Sequence, residues 1–210
     1  MTGPDAPAKQ APPLGELGEL VHSRVTQLQA KQLARSASAR ATLAQLRRAV
    51  SKEPGSVPEV WEFTLSGVRI PPSYPDDKPA PTEYAAHIAM TLYAVHQQSR
   101  PVGMHQRGHR LGSAVRRLAK GMTDDIAVTR RFQALGTAQD LTEVTYHARG
   151  LISQLRAASI PLDYGLFADQ LFLLQDPRRA GSVRLSWGRE FHRTTRPDVL
   201  DTDESNGDTP

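Results

Sequence analysis

The sequence predicts an all-α fold, made of one or two small antiparallel bundles with about seven to nine helices. Apolar residues recur three or four positions apart in nearly every segment, as on one face of a helix. Residues that favour helix starts precede several of these segments, and Pro or Gly follows them. Aromatic residues make up only 6% of the 210 residues, so the core must consist mostly of Leu, Ala, Val and Ile.

The N-terminal helical part spans residues 14–65. A first helix covers about residues 14–34 and has a regular apolar stripe. That stripe is Leu17, Val21, Val25 and Leu28. A second helix follows Ser36 or Ser38, since serine is a favoured N-cap. Its stripe is Ala39, Leu43, Leu46 and Val50. Pro54 and Gly55 then end the helix.

A proline-rich loop is predicted over residues 66–81, inside a connection that begins near residue 56. Trp61, Phe63 and Leu65 alternate just before it. Such alternation is typical of a short strand or of apolar anchors that tie the connection to the core. The anchors are favoured, because the sequence contains no partner strand.

A C-terminal helical bundle is predicted over residues 82–195. Thr82 is expected to cap its first helix, with Glu83 in the first turn. The loop 104–110 leads into the next helix, which Gly121 ends. Start signals for the remaining helices are Thr123-Asp124-Asp125, the pair Asp140 and Glu143, Asp163, and Asp176-Pro177.

The two ends of the chain look different from its middle. Residues 1–13 are rich in Pro and Ala and are expected to be disordered. Residues 196–210 form an acidic tail, also expected to be disordered. No apolar run approaches the ~20 residues that cross a bilayer, and no signal-peptide core is visible. We expect a cytoplasmic protein.

The charge pattern is the strongest functional signal. Thirteen basic residues and no acidic residue lie in two windows, residues 20–52 and 84–123. Five of the 22 acidic residues follow Arg196, which leaves the rest of the chain with nine more basic than acidic residues. Helices exposed to water usually mix both signs, so these faces indicate contact with a polyanion. Ordinary solvated surface is the plainer interpretation.

Catalytic and metal sites are not predicted. The chain has no cysteine, and His105 and His109 have the spacing of a helical metal pair but stand in a loop among cations. A triad of Ser113, His109 and Asp124 lacks the usual nucleophile turn. We therefore expect no catalytic residue, no metal and no cofactor. The glycines at 108 and 112 suit either an anion site at a helix start or close helix packing.

Several separated segments carry a resemblance to a known family. They are His96-Gln97-Gln98-Ser99, Met104-His105, residues 111–118, Arg130-Arg131-Phe132, Leu162-Asp163-Tyr164 and residues 183–191. Together they resemble the CasB family, the small subunit of the type I-E CRISPR Cascade complex. The similarity is clear over residues 82–193 and weaker over residues 14–61.

The resemblance implies an all-helical, non-catalytic subunit present in two copies. Its implied partners are the other Cascade subunits, the backbone and large subunits, and a second copy of itself. It also implies a basic surface that follows the displaced DNA strand of an R-loop and lies near the guide RNA–target DNA heteroduplex. Many relatives carry Arg where this chain has Ser113, so neighbouring arginines would have to replace that contact.

Twelve arginines are the predicted phosphate contacts. They are Arg107, Arg110, Arg116, Arg117, Arg130 and Arg131, followed by Arg24, Arg35, Arg40, Arg47, Arg149 and Arg156. Nothing in the sequence indicates base recognition, so these contacts would be to the sugar–phosphate backbone. Three alternatives remain open: a stand-alone DNA- or RNA-binding helical protein, a protein-only scaffold, and, most distantly, a metal-dependent hydrolase.

Overall fold

The computed structural model describes residues 11–122 and 125–193. Within these ranges it contains nine α-helices, one short 3₁₀ turn at Pro58–Val60 and no β-strand, which confirms the predicted all-α class. The helices are α1 Glu16–Leu33, α2 Ala37–Arg48, α3 Trp61–Thr64, α4 Pro81–Gln97, α5 Leu111–Lys120, α6 Ile126–Thr137, α7 Leu141–Ala157, α8 Tyr164–Leu174 and α9 Pro177–His192.

Four of the predicted helix starts are confirmed. Ser36 is the N-cap of α2, where its side chain accepts a hydrogen bond from the backbone N–H of Ala39. Aspartates cap α7, α8 and α9 in the same way, each through a backbone N–H two or three residues later. These caps are Asp140, Asp163 and Asp176. Each cap satisfies a helix N–H that has no partner within the helix.

The predicted start of α4 at Thr82 is wrong. The helix begins one residue earlier, at Pro81, because proline fits the first helical position and its missing N–H costs nothing there. The carboxylate of Glu83 accepts from the N–H of Ala80 (2.7 Å), the N-cap residue. The Thr82 hydroxyl donates instead to the carbonyl of Arg69 (2.9 Å) and so ties the proline-rich loop to α4.

The segment around Trp61 forms the short helix α3, so the strand alternative is wrong. The anchor interpretation holds for Phe63, which packs against the core. It does not hold for Trp61, which is 46% exposed and donates its indole N–H to the carbonyl of Gly55 (2.9 Å). Alternating apolar residues therefore reflect one helical turn followed by an irregular connection.

Helix α4 is the central element of the fold. Every residue from Ala85 to Gln97 is buried, because α1, α2, α7 and α8 all pack against it. A helix that is apolar on all sides is stable only when it is surrounded in this way. Helices α5 and α9 pack closely on each other, and α6 packs on α7. The buried apolar residues form a continuous cluster from Leu17 to Trp187.

Some predictions lie outside the described residues. These are most of the disordered segment 1–13, the acidic tail 196–210, and the Thr123-Asp124 start of α6. The division into parts 14–65 and 82–195 stays a prediction about folding units. Among the described residues, no helix is long and apolar enough to cross a membrane.

Candidate nucleic-acid interface

A groove lies over α4, and its lining includes the basic residues Lys52 and Arg149. Helices α2 and α7 both lie against α4, and the residues that follow α2 face the N-terminal half of α7 across it. The C-terminal turns of α2 and α7 bring basic residues to the same region. The packing therefore brings basic residues from the stretch 20–52, which contains no acidic residue, near basic residues of α7.

Beyond the lining of this groove, four arginines are linked by their electrostatic effects, and we call them the arginine cluster: Arg47, Arg48, Arg100 and Arg156. Burial lowers the pKa of Arg47, and repulsion from Arg156 and then Arg48 lowers it further. The charges of Arg156 and Arg48 therefore both act on the Arg47 guanidinium.

Arg100 joins the same cluster through the buried His96. The pKa of His96 is lowered to about 3, chiefly by burial and also by repulsion from Arg156 and Arg100, against a hydrogen bond to the backbone of Ile160 that raises it. The charges of both arginines therefore act on the buried ring of His96. The cluster therefore collects charge from α2, α7 and the turn after α4.

The cluster has neutral partners only. Arg156 donates to the side-chain carbonyl of Gln98 (2.9 Å), and Arg100 donates to the hydroxyl of Ser159 (3.2 Å). Across residues 11–122 and 125–193, the ion pairs involve other arginines: Arg69, Arg107, Arg110 and Arg178. The charge of the cluster is therefore oriented by the fold but is not neutralised by it.

The groove continues from the cluster toward the start of α7. Its volume is about 410 Å³, and its walls include Lys52, Arg149 and two aromatic residues, Tyr84 and Tyr146. Glu53 also lines it, and its carboxylate accepts a hydrogen bond from the Tyr84 hydroxyl (3.3 Å). The groove thus combines exposed aromatic surface with positive charge.

Among the predicted phosphate contacts, Arg24 is bound inside the protein. Its guanidinium donates to the carbonyl of Phe63 (3.1 Å) and to the carbonyl of Ser66. The first carbonyl lies in the last turn of α3 and the second lies just after the helix, where carbonyls lack partners within the helix. Burial lowers the pKa of Arg24, partly offset by Glu62. Arg24 thereby fixes the connection after α3 against α1.

Arg107 is also bound internally. It donates to the carboxylate of Asp163 (2.6 Å), whose side chain is fully buried, and to the carbonyl of Pro12 (2.8 Å). The same carboxylate accepts from the N–H groups of Gly108 and Leu166. One buried aspartate therefore joins the loop before α5 to the start of α8, and Arg107 balances its charge.

Arg110 and the start of α5 share a second buried carboxylate, Glu190 of α9. The Glu190 carboxylate accepts from Arg110 (3.2 Å), from the N–H of Gly112 (3.2 Å) and from the hydroxyl of Ser186 (3.0 Å). A Cβ on Gly112 would lie 2.3 Å from the carbonyl oxygen of Trp187. For Gly112, close helix packing is therefore present, and Glu190 occupies the helix start; Gly108 has a positive φ of 79° and donates its N–H to Asp163.

The remaining predicted arginines reach the surface in different ways. Arg116 donates to the carbonyl of Arg193, and Arg131 lies over Gly150, where a Cβ would come within 2.7 Å of its guanidinium. The exposed members are Arg35, Arg40, Arg117, Arg130, Arg131 and Arg149. Only Arg47 and Arg156 of the predicted set belong to the arginine cluster.

The histidines of the metal alternative have other partners. Nε2 of His105 lies 2.8 Å from Nδ1 of His22, and its Nδ1 accepts from the N–H of Tyr164 (3.0 Å). Burial is the main reason that the pKa of His105 falls to about 4. Among the described residues, no group of three His, Cys, Asp or Glu side chains could hold a metal ion.

Sequence reasoning missed four members of the site. Arg48, Arg100 and Lys52 stand in the acid-free windows, but only the tertiary packing shows which cations meet. Tyr146 is 72% exposed. The exposure of Tyr146 could have been predicted from the sequence, because the apolar stripe of α7 at Val144 and Ala148 leaves residue 146 on the opposite side of the helix.

Comparisons with known proteins agree with this fold. Residues 42–192 match the family model described as CRISPR-associated protein Cse2. The structure is similar to the crystal structure of CasB from Thermobifida fusca, with a TM-score of 0.76 and 40% sequence identity, over 86% of this chain and 100% of that chain. A comparison with curated proteins finds none that matches this sequence. With a family model that spans most of the chain and a relative this similar, the chain belongs to the Cse2 (CasB) family of CRISPR-associated proteins.

Proposed function

We propose that this chain, a CRISPR Cascade subunit of the CasB family, is the non-catalytic small subunit of a type I-E complex and stabilises the displaced DNA strand of the R-loop. The observation that carries the proposal is the arginine cluster. Arg48 and Arg156 both act electrostatically on Arg47, Arg100 and Arg156 both act on His96, and the hydrogen-bond partners of Arg156 and Arg100 are the neutral side chains of Gln98 and Ser159. A polyanion would relieve their repulsion and would gain from their charge.

Arginine suits this task for a geometric reason. Its planar guanidinium can donate two parallel hydrogen bonds to one phosphate and keeps its charge at any physiological pH. Such contacts are made to the backbone and carry no sequence information. A strand displaced by a changing guide sequence requires contacts of that kind.

The energetics of strand exchange explain why a few contacts suffice. The RNA–DNA duplex that forms in an R-loop is about as stable as the DNA duplex that it replaces. A modest gain on the displaced strand therefore shifts the balance toward the open loop. Contacts by the arginine cluster would supply that gain, and added salt would weaken it.

The predicted phosphate contacts can be grouped by whether each arginine already binds another group of the protein. The exposed Arg149 lines the groove, and Arg47 and Arg156 belong to the arginine cluster; these three are the first candidates for the displaced strand. Arg117, Arg130 and Arg131 are exposed on α5 and α6 and would form a second contact region, near the heteroduplex. Three others bind groups of the protein itself: Arg24, Arg107 and Arg110. We propose that they stabilise the fold that presents the basic surface.

The remaining parts of the proposal concern partners and place. We propose contacts with the backbone and large subunits of Cascade, a second copy of this chain beside the first, and a cytoplasmic location. In support of the non-catalytic role, the His105 side chain is buried between protein groups and does not face a solvent-filled cleft.

The test is R-loop formation by the complex assembled from the Cascade subunits of the same host. Arg47→Ala/Arg156→Ala is compared with a charge-matched control, Arg69→Ala/Arg178→Ala, whose arginines pair with Glu16 and Asp176. Permanganate oxidation of unpaired thymines reports the open strand. We expect less open DNA with the cluster variant and no change with the control. Equal opening by both assembled complexes would overturn the proposal.

A further inference from the structure

The groove next to the arginine cluster contains a feature that phosphate binding does not require. Tyr146 projects from α7 with 72% of its surface exposed, although it lines the groove. The neighbouring wall includes Tyr84, at the start of α4. Exposed aromatic rings are costly to leave in water, and here the exposed Tyr146 and the half-buried Tyr84 line one cavity of about 410 Å³.

The cations of the groove continue the arginine cluster. Lys52 follows Arg48 by four residues, just after α2 ends. Arg149 precedes Arg156 by two turns of α7, so both lie along the same side of that helix. A single chain of phosphates that contacts the cluster would therefore pass the tyrosines.

The polar groups of the groove are largely satisfied by the protein. The hydroxyls of Thr91 and Thr145 donate to carbonyls of their own helices, and Nε2 of His87 lies 3.0 Å from the carbonyl of Ala49. The Glu53 carboxylate accepts from Tyr84. One buried atom of the lining, Nδ1 of His87, has no hydrogen-bond partner among the described residues. The groove therefore offers ring faces and positive charge, and this nitrogen is the main polar group left for a base.

We infer that this groove binds an unpaired nucleotide of a single strand, with its base stacked on Tyr146 and its phosphates held by Arg149 and Lys52. The inference rests on the proposed function and specifies the form of nucleic acid. Bases inside a duplex already stack on each other, so a surface tyrosine can stack only on an unpaired one. Stacking accepts every base, which suits a strand of any sequence.

The experiment uses the full chain and two oligonucleotides of equal length, one of thymidines and one of abasic sugars with the same number of phosphates. Stacking is worth roughly a fivefold to hundredfold gain in affinity per base, so the thymidine strand should bind about tenfold more tightly. Tyr146→Ala should remove this preference, and Tyr146→Phe should keep it. Leu185→Ala removes an exposed apolar side chain from α9 and should change nothing.

The outcomes separate this inference from the proposed function. Equal affinity of the wild-type chain for both strands, or an unchanged preference in Tyr146→Ala, overturns the base site while leaving the phosphate contacts intact. Failure of both strands to bind overturns the base site and the proposed function together. Circular dichroism checks that each variant is folded, which the exposure of Tyr146 leads us to expect.

Discussion

Arg156 on α7 lies close enough to Arg47 on α2 that its repulsion, after burial, lowers the pKa of Arg47. The two helices do not follow each other in the chain; they meet because both pack on α4. Like charges that act on each other with no ion pair to a carboxylate of residues 11–122 or 125–193 lower the stability of the fold at that point. Such a cost is understandable where a polyanion binds.

Arg107 should matter for stability. Arg107→Ala leaves the fully buried Asp163 carboxylate without its counter-charge, so we expect the free energy of unfolding to fall by about 3 kcal/mol. Urea denaturation measures the change. Arg117→Ala, at an exposed position, should stay within about 0.5 kcal/mol of wild type. Similar unfolding midpoints for both variants would show that the pair with Asp163 is not structural.

Two glycines allow a matched test of helix packing. Gly112→Ala places a Cβ 2.3 Å from the Trp187 carbonyl and 2.7 Å from Cβ of Glu190, so α5 and α9 must separate. We expect a loss of about 1–3 kcal/mol. Gly188→Ala, in α9, meets nothing within 4 Å and should stabilise the helix by about 0.5–1 kcal/mol. Thermal denaturation of the two variants should therefore shift in opposite directions, and a shift in the same direction refutes the packing argument.

The sequence was sufficient to predict most of the helices, but it did not show which groups their charged side chains contact. The stripes of α1 and α2 and the caps at Asp140 and Asp163 depend on residues within a few positions of each other. Neighbouring residues determine helix periodicity and capping, so local reasoning succeeds there.

The arginine partners depend on distant parts of the chain. Arg107 meets Asp163 and Arg110 meets Glu190 only after α8 and α9 have packed, so no local pattern could show that these cations are already bound. The error at α3 has a related cause. A run of alternating apolar residues too short for one clear period fits a strand or a helical turn equally well.

Two buried histidines should make stability fall as the pH drops below about 6.5. Burial is the main cause that lowers the pKa of His96 to about 3 and of His105 to about 4. Between those values and 6.5 the unfolded chain binds more protons than the folded chain. Above pH 6.5 both histidines make their full contribution to the free energy of unfolding. As the pH falls below 6.5, that free energy decreases by up to about 1.4 kcal/mol per pH unit for each histidine.

Unfolding free energies measured from pH 7 to pH 5 test this dependence. His96→Gln should make the pH dependence shallower, because one of the proton-linked histidines is gone. Leu185→Ala, at an exposed position of α9 and without an ionisable group, serves as the control and should keep the slope of wild type. An unchanged slope in His96→Gln would mean that His96 is not held neutral by the fold.

The salt dependence of single-stranded DNA binding tests the central claim most directly. Each phosphate contact contributes about 0.7 to the slope of log affinity against log salt. Arg47→Ala/Arg156→Ala should therefore reduce that slope by about 1.4, and Arg69→Ala/Arg178→Ala should leave it unchanged. A wild-type slope in the cluster variant would contradict the claim that these arginines contact the nucleic-acid backbone.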